Sequence, residues 1–114
     1  MTFSADLSGD RWTLILEGDV NGQDGEESVL HLANQAMGGG ARIGIIDISA
    51  VRFMNSSGIA MLLKLLTRFR QKGGEVFVLS PPESVRRMLV MTRLEAVFQI
   101  INSSEEARLP GGKP

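Results

Sequence analysis

At 114 residues and a net charge of −1, the chain has the length of one domain and can bury an apolar core without covalent staples. It has no cysteine, which excludes disulfides and thiolate metal sites, and its one histidine, His31, leaves little for a zinc centre or for acid–base chemistry. Charge is unevenly placed: residues 1–41 carry seven acids and one base, residues 42–114 eleven bases and six acids, a split that can steer a charged partner but is far from the strongly basic profile of a nucleic-acid domain.

Taken in chain order, Thr2–Leu7 and Arg11–Glu17 read as a strand pair around the turn residues Ser8-Gly9-Asp10. In the second strand Trp12, Leu14 and Leu16 alternate with Thr13, Ile15 and Glu17, so one face is the more apolar. Gly18–Gly25 reads as a loop. Glu26–Met37 reads as a helix, with Val29, Leu32, Ala33 and Ala36 at i, i+3, i+4, i+7 and Gly38-Gly39-Gly40 as its stop. The nearly continuous apolar run Ile43–Ile48 suits a central strand covered on both faces. Ser49–Asn55 reads as a connection. Ser56–Lys72 is the strongest helix, with Ile59, Leu62, Leu63, Leu66 and Phe69 on one stripe and Gly73-Gly74 at its end.

Glu75–Leu79 reads as another buried strand. Ser80-Pro81-Pro82-Glu83 opens a helix to about Met91, with proline in its first turn. Val97–Ile101 is the last expected strand, Ser103–Ala107 a terminal helical turn, and residues 109–114 a flexible tail behind a domain of residues 1–108. Strands alternating with helices predict an α/β domain with a mixed, mostly parallel four- to five-stranded sheet, its first strand antiparallel and helices packed around it. The start Met1-Thr2-Phe3-Ser4-Ala5-Asp6 has neither a basic n-region nor an apolar run. No stretch approaches the roughly 20 apolar residues of a membrane span. The expectation is a soluble cytoplasmic protein with no membrane span and no nucleic-acid partner.

One segment concentrates the chemistry. Asp47-Ile48-Ser49 closes the apolar strand, and the long helix opens in Asn55-Ser56-Ser57-Gly58. In open α/β sheets, sites lie beyond the carboxyl ends of strands, and a helix N-terminus offers unpaired N–H groups and partial positive charge. A phosphate on Ser56 adds roughly −1.5 to −2 charges and three acceptor oxygens at a place that tolerates them. The helix would stay intact while the surface changes, so a partner burying this turn would be expelled. Asn and Ser are also the best N-caps, so capping alone accounts for Asn55-Ser56 without any function.

The run Asp47-x-Ser49, followed by Phe53-Met54-Asn55-Ser56-Ser57-Gly58 and then Leu62, resembles the STAS family of anti-sigma-factor antagonists. That pattern is a strand ending Asp-x-Ser, a spacer, Asp-Ser-Ser/Thr-Gly and an apolar helix. The likeness runs over roughly residues 3–107 and includes the Gly-Gly before the next strand and the proline-opened helix after it. The resemblance implies a STAS-like domain in which Ser56 is phosphorylated by a partner serine-protein kinase that doubles as an anti-sigma factor. The unphosphorylated form would bind that kinase and free its target, and a PP2C-type phosphatase would reverse the modification. Asn55 stands where the pattern has an acid, keeping size and capping oxygen but losing the charge. In this reading Asn55, Ser57 and Gly58 shape the switch, Gly58 admits a partner backbone, and Asp47 and Ser49 organise the strand end.

Met61 and Leu65 flank the core stripe and lead toward Ser57, Lys64 and Arg68, which gives an apolar patch with a basic rim or, equally, a wide core stripe. Arg86-Arg87 and Lys64/Arg68/Lys72 read as solvated helix faces rather than phosphate binders. Neither a Gly-x-Ser-x-Gly elbow nor a phosphate-cradling Gly-x-x-x-x-Gly-Lys occurs, so no catalytic residue, metal or cofactor is expected. The output expected is regulatory binding by a monomer or weak dimer. The alternatives are a constitutive STAS scaffold subunit without a phospho-switch, and an enzyme using a crevice near Asn55.

Overall fold

The computed structural model describes residues 1–21 and 25–109. Its elements are β1 (Thr2–Ser8), β2 (Arg11–Val20), α1 (Glu26–Gly38), β3 (Ile43–Met54), α2 (Ser56–Gln71), β4 (Glu75–Leu79), α3 (Glu83–Met91) and β5 (Gln99–Ile101), with 3-10 turns at Leu94–Ala96 and Ser104–Glu106. The strands form one sheet in the order β1-β2-β3-β4-β5. β1 is antiparallel to β2 and all later pairs are parallel. This is the α/β, mixed and mostly parallel sheet that the element pattern predicts.

Because each parallel strand is laid down beside the last in the same direction, right-handed crossovers carry all three helices to one face. The main core confirms it. Trp12, Leu14, Leu16, Ile46, Ile48, Val76 and Val78 from the sheet pack with Val29 and Ala33 of α1, Leu62 and Phe69 of α2, and Val85 and Leu89 of α3. Trp12 and Phe69 stack with ring centres 5.9 Å apart. The opposite sheet face holds a smaller cluster, Ile43, Ile45, Phe77 and Ile101, which Ala107 covers. Arg11 pins that covering segment by donating to the Ala107 carbonyl at 2.9 Å and the Ser104 carbonyl at 2.6 Å. Leu109, expected to begin a flexible tail, is partly buried against the same cluster, while residues 110–114 lie outside the described residues.

Several boundaries differ from expectation. β3 does not end at Ile48: it runs on to Met54 and pairs with β2 as far as Val20, so Ser49–Asn55 is not a connection and Gly18–Val20 is not loop. Residues 22–24 of the expected loop lie outside the described residues. The sequence hides the extension because the register slips between Ile15 and Glu17 and again between Gly18 and Asp19. Each slip inserts an extra β3 residue and resets the period-2 alternation. Pro82 occupies the N-cap of α3, one place before the first turn. β5 starts at Gln99 because the N–H groups of Val97 and Phe98 donate back to the Leu94 carbonyl, closing a turn in place of a ladder.

Candidate functional site

α2 begins where β2 and β3 end together. Asn55 has extended backbone, φ −96° and ψ −177°, and its Oδ1 accepts from the Gly58 N–H at 2.9 Å. Its own N–H donates to the Val20 carbonyl at 3.2 Å, which ties the helix start to the end of β2. The cap is therefore Asn55 alone. Ser56 and Ser57 are exposed, and neither hydroxyl makes a hydrogen bond within the described residues. The first turn of α2 carries no acidic residue, so nothing there offsets the partial positive charge of the helix end.

Gly58 serves a different purpose from the one its position suggests. It is buried, and a Cβ there would stand 2.6 Å from the Val20 carbonyl oxygen and 2.7 Å from Met54 Cγ. The close approach it permits is between α2 and the chain's own β2, not an incoming partner backbone. Met61 and Leu65 are also corrected: both are fully buried, and the stripe of α2 is wide because that helix packs on β3 and β4 and against α1. They form no surface patch. The exposed ridge of α2 is Ser56, Ser57, Ala60 and Lys64, and the Lys64 ammonium pairs with Glu26 of α1 at 3.0 Å.

Asp47 and Ser49 do not join this cluster. The strand continues from Asp47 to Met54, roughly 20 Å of extended chain. Asp47 Oδ1 accepts from the Ser49 N–H at 3.0 Å and the Ser49 hydroxyl at 2.7 Å. Between the pairs Ile15–Asp47 and Glu17–Ala50, two β3 residues oppose one of β2, so the carboxylate braces a bulge rather than a strand end. The basic helix faces are partly paired internally: Arg68 donates to Asn34 at 3.1 Å, and Arg87 meets Glu83 at 3.6 Å.

Sequence reasoning missed Phe53. It is 53% exposed, two residues before the cap, beside an exposed ion pair of Arg52 with Asp19 at 3.4 Å. A phenylalanine in a strand is core by default, and the second register slip is what turns it outward. The exposed surface at this end thus combines a large apolar side chain, two spare hydroxyls and a helix N-terminus. Among the described residues, no group of three or more His, Asp or Glu side chains is placed to hold a metal, and no helix is long and apolar enough to cross a membrane.

Comparison with known proteins agrees with this geometry. Over 92 residues the chain is 27% identical to BtrV of Bordetella bronchiseptica, provisionally named an anti-sigma factor antagonist; the match covers 81% of this chain and 78% of that protein. The fold matches the anti-sigma factor antagonist SpoIIAA in its unphosphorylated form with a TM-score of 0.72, at 18% identity and 92% coverage of both chains. It matches the phosphorylated form of the Bacillus protein with a TM-score of 0.73, at 19% identity, covering 92% of this chain and 94% of that one. The STAS domain pattern itself matches residues 13–107, nearly the whole described chain, and the chain belongs to the STAS domain family.

Proposed function

We propose that this protein is a phosphorylation-switched regulatory binding protein. Unphosphorylated, it binds a serine-protein kinase that doubles as an anti-sigma factor and so releases that kinase's target; phosphate on Ser56 ends the binding and a PP2C-type phosphatase restores it, all in the cytoplasm. The observation that carries the reading is the division of labour at the start of α2: Asn55 caps the helix, so the exposed Ser56 hydroxyl is not needed by the fold. A phosphate there sits at a helix N-terminus without a neighbouring acid in its turn, where the fold tolerates it. The equal likeness to SpoIIAA with and without its phosphate supports a switch that changes the surface and leaves the fold alone. Phe53 and the ridge through Ala60 supply the apolar contact that the new charge would spoil.

The test is a binding titration of wild type, Ser56→Ala and Ser56→Asp against the serine kinase encoded nearest this protein in its genome, with intact-mass analysis after ATP. The expected result is one added phosphate, abolished by Ser56→Ala and retained by Ser57→Ala, with Ser56→Asp binding at least about tenfold weaker, 1.4 kcal/mol. Equal binding by every variant and no added mass would replace this reading with a constitutive scaffold subunit, in which Asn55 marks a site no kinase uses.

A further inference from the structure

β1 is the long open edge of the sheet. It lies outermost, pairs with β2 over seven uninterrupted positions, and no strand among the described residues pairs with its other side. Such an edge is normally blunted by proline, lysine, a bulge or a covering helix. β1 has no proline or lysine, and its pairing with β2 has no bulge. Its one charge, Asp6, lies on the face away from the helices, with Thr2 and Ser4. The helix-side face carries Phe3, Ala5 and Leu7, of which Ala5 is exposed and Leu7 is 39% exposed beside a shallow groove bounded by Leu32, Gln35 and Ala36 of α1.

The sequence of this edge says what fits it. Thr2-Phe3-Ser4-Ala5-Asp6-Leu7-Ser8 is a chemical palindrome centred on Ala5. Laid antiparallel against a second copy about a twofold axis at Ala5, Phe3 faces Leu7, Ser4 faces Asp6 and Thr2 faces Ser8, each twice. Apolar meets apolar on the helix side. On the other side the Ser4 hydroxyl is placed to donate to the Asp6 carboxylate, and no like charges stand opposite each other. Shifting the pairing by two residues one way sets Asp6 against Asp6; shifting it the other way leaves Ser8 without an opposing residue and sets Leu7 against Met1, which lies outside the strand. Shifting by one residue sets apolar against polar on both faces. We propose that β1 is the self-association surface of this protein, pairing with β1 of a second copy so that two five-stranded sheets become one continuous sheet. Each side of this interface also carries Asp6 in β1 and Glu17 opposite Thr2 in β2, within a third of the chain that holds seven acids and one base. Their repulsion keeps the pairing weak at low salt and strengthens it as salt screens them. The edge and the turn at Ser56 share no residue: that turn is seated on the end of β2 at Val20, whereas β1 pairs with Arg11–Glu17 of the same strand and offers its other side. The inference therefore stands apart from the partner-switching reading.

The experiment is sedimentation of the full chain over a concentration series at low and high salt, for wild type and Ala5→Arg, with circular dichroism to confirm that both are folded. The expected result is a concentration-dependent dimer, tighter at high salt, which Ala5→Arg weakens at least about tenfold by setting like charges opposite each other on the axis. Because the protein has no cysteine, Ala5→Cys supplies a second, independent readout. Mild oxidation joins two copies through residue 5, since directly opposed strand residues lie about 4.5–5.5 Å apart between Cα atoms. The exposed control Gln71→Cys stays unjoined. A chain that remains monomeric at every concentration and salt, or a dimer that Ala5→Arg leaves intact and Ala5→Cys does not join, overturns the proposal. Protection of β1 amides appearing only when the kinase is added also overturns it, and gives the edge to that partner instead.

Discussion

Replacing Gly58 by alanine sets two simple expectations against each other. Inside a helix the change stabilises by about 0.5–1 kcal/mol, because glycine loses more backbone freedom on folding. At Gly58 the new methyl group would stand 2.6 Å from the Val20 carbonyl oxygen, 2.7 Å from Met54 Cγ and 3.1 Å from Val20 Cγ1. Met54 is buried and has little room to turn away. The Val20 carbonyl cannot retreat without giving up the hydrogen bond it accepts from Asn55. Overpacking of this kind costs about 1–3 kcal/mol, so the packing loss outweighs the helical gain and the net destabilisation is about 1–2 kcal/mol. For a domain of this size that lowers Tm by about 4–8 °C. Urea unfolding followed by circular dichroism should show a lower midpoint at an unchanged slope. The exposed Ala60→Gly serves as the contrast, losing about 1 kcal/mol through helix propensity alone. A Tm that rises in Gly58→Ala would mean that the first turn of α2 is not seated on the end of β2, and the geometry of the Ser56 surface would have to be rebuilt.

Asn55→Ala removes the Gly58 N–H acceptor and should cost about 1 kcal/mol in the same unfolding assay, whereas Asn55→Asp keeps the cap and adds a charge at the helix N-terminus, a gain of about 0.3–1 kcal/mol that fades with added salt. Glu75 is buried and held by Arg70 at 3.0 Å, so Arg70→Ala strands a buried carboxylate and should cost about 2 kcal/mol, more than Glu75→Gln, which thermal melts will rank. Arg11→Ala frees the Ser104 and Ala107 carbonyls; hydrogen exchange should quicken at Glu106 and Ala107, whose N–H groups close the 3-10 turn, while the helices on the other face stay protected. Met61→Ala should destabilise by about 2–5 kcal/mol, as for a core side chain; a stable protein with weakened partner binding would instead restore Met61 to the surface.

Where local rules and tertiary packing agreed, the elements were legible. The β1–β2 hairpin followed from its turn residues and alternation, β4 from a short apolar run, and α2 from its stripe and its glycine stop. The failures share one cause. Each depended on a register or a neighbour that lies far away in sequence. Two slips against β2 carried β3 six residues past its expected end and turned Phe53 outward, and no window of the sequence contains both strands. Gly58 looked like an opening for a partner because its true neighbour, Val20, is far away in the chain. Met61 and Leu65 sat at the edge of a helical stripe whose width is set by how many elements pack around α2. The helix start that carries the candidate site was legible at Asn55-Ser56 because it is a local event, while the place of Asp47 and Ser49 depended on pairing: they sit at a bulge and not at the strand end.

The one-sided placement of the helices has a consequence for synthesis. A chain emerging from the ribosome can complete the helix-covered core once α3 and β5 are out, but Ile43, Ile45, Phe77 and Ile101 on the other face must wait for the segment that carries Ala107. Until that segment arrives, a nascent chain presents an uncovered apolar face on β3, β4 and β5 as well as the open β1 edge, a combination prone to aggregation. A chain cut short after Ile101 should therefore reach the cell as inclusion bodies even though every helix and strand is present.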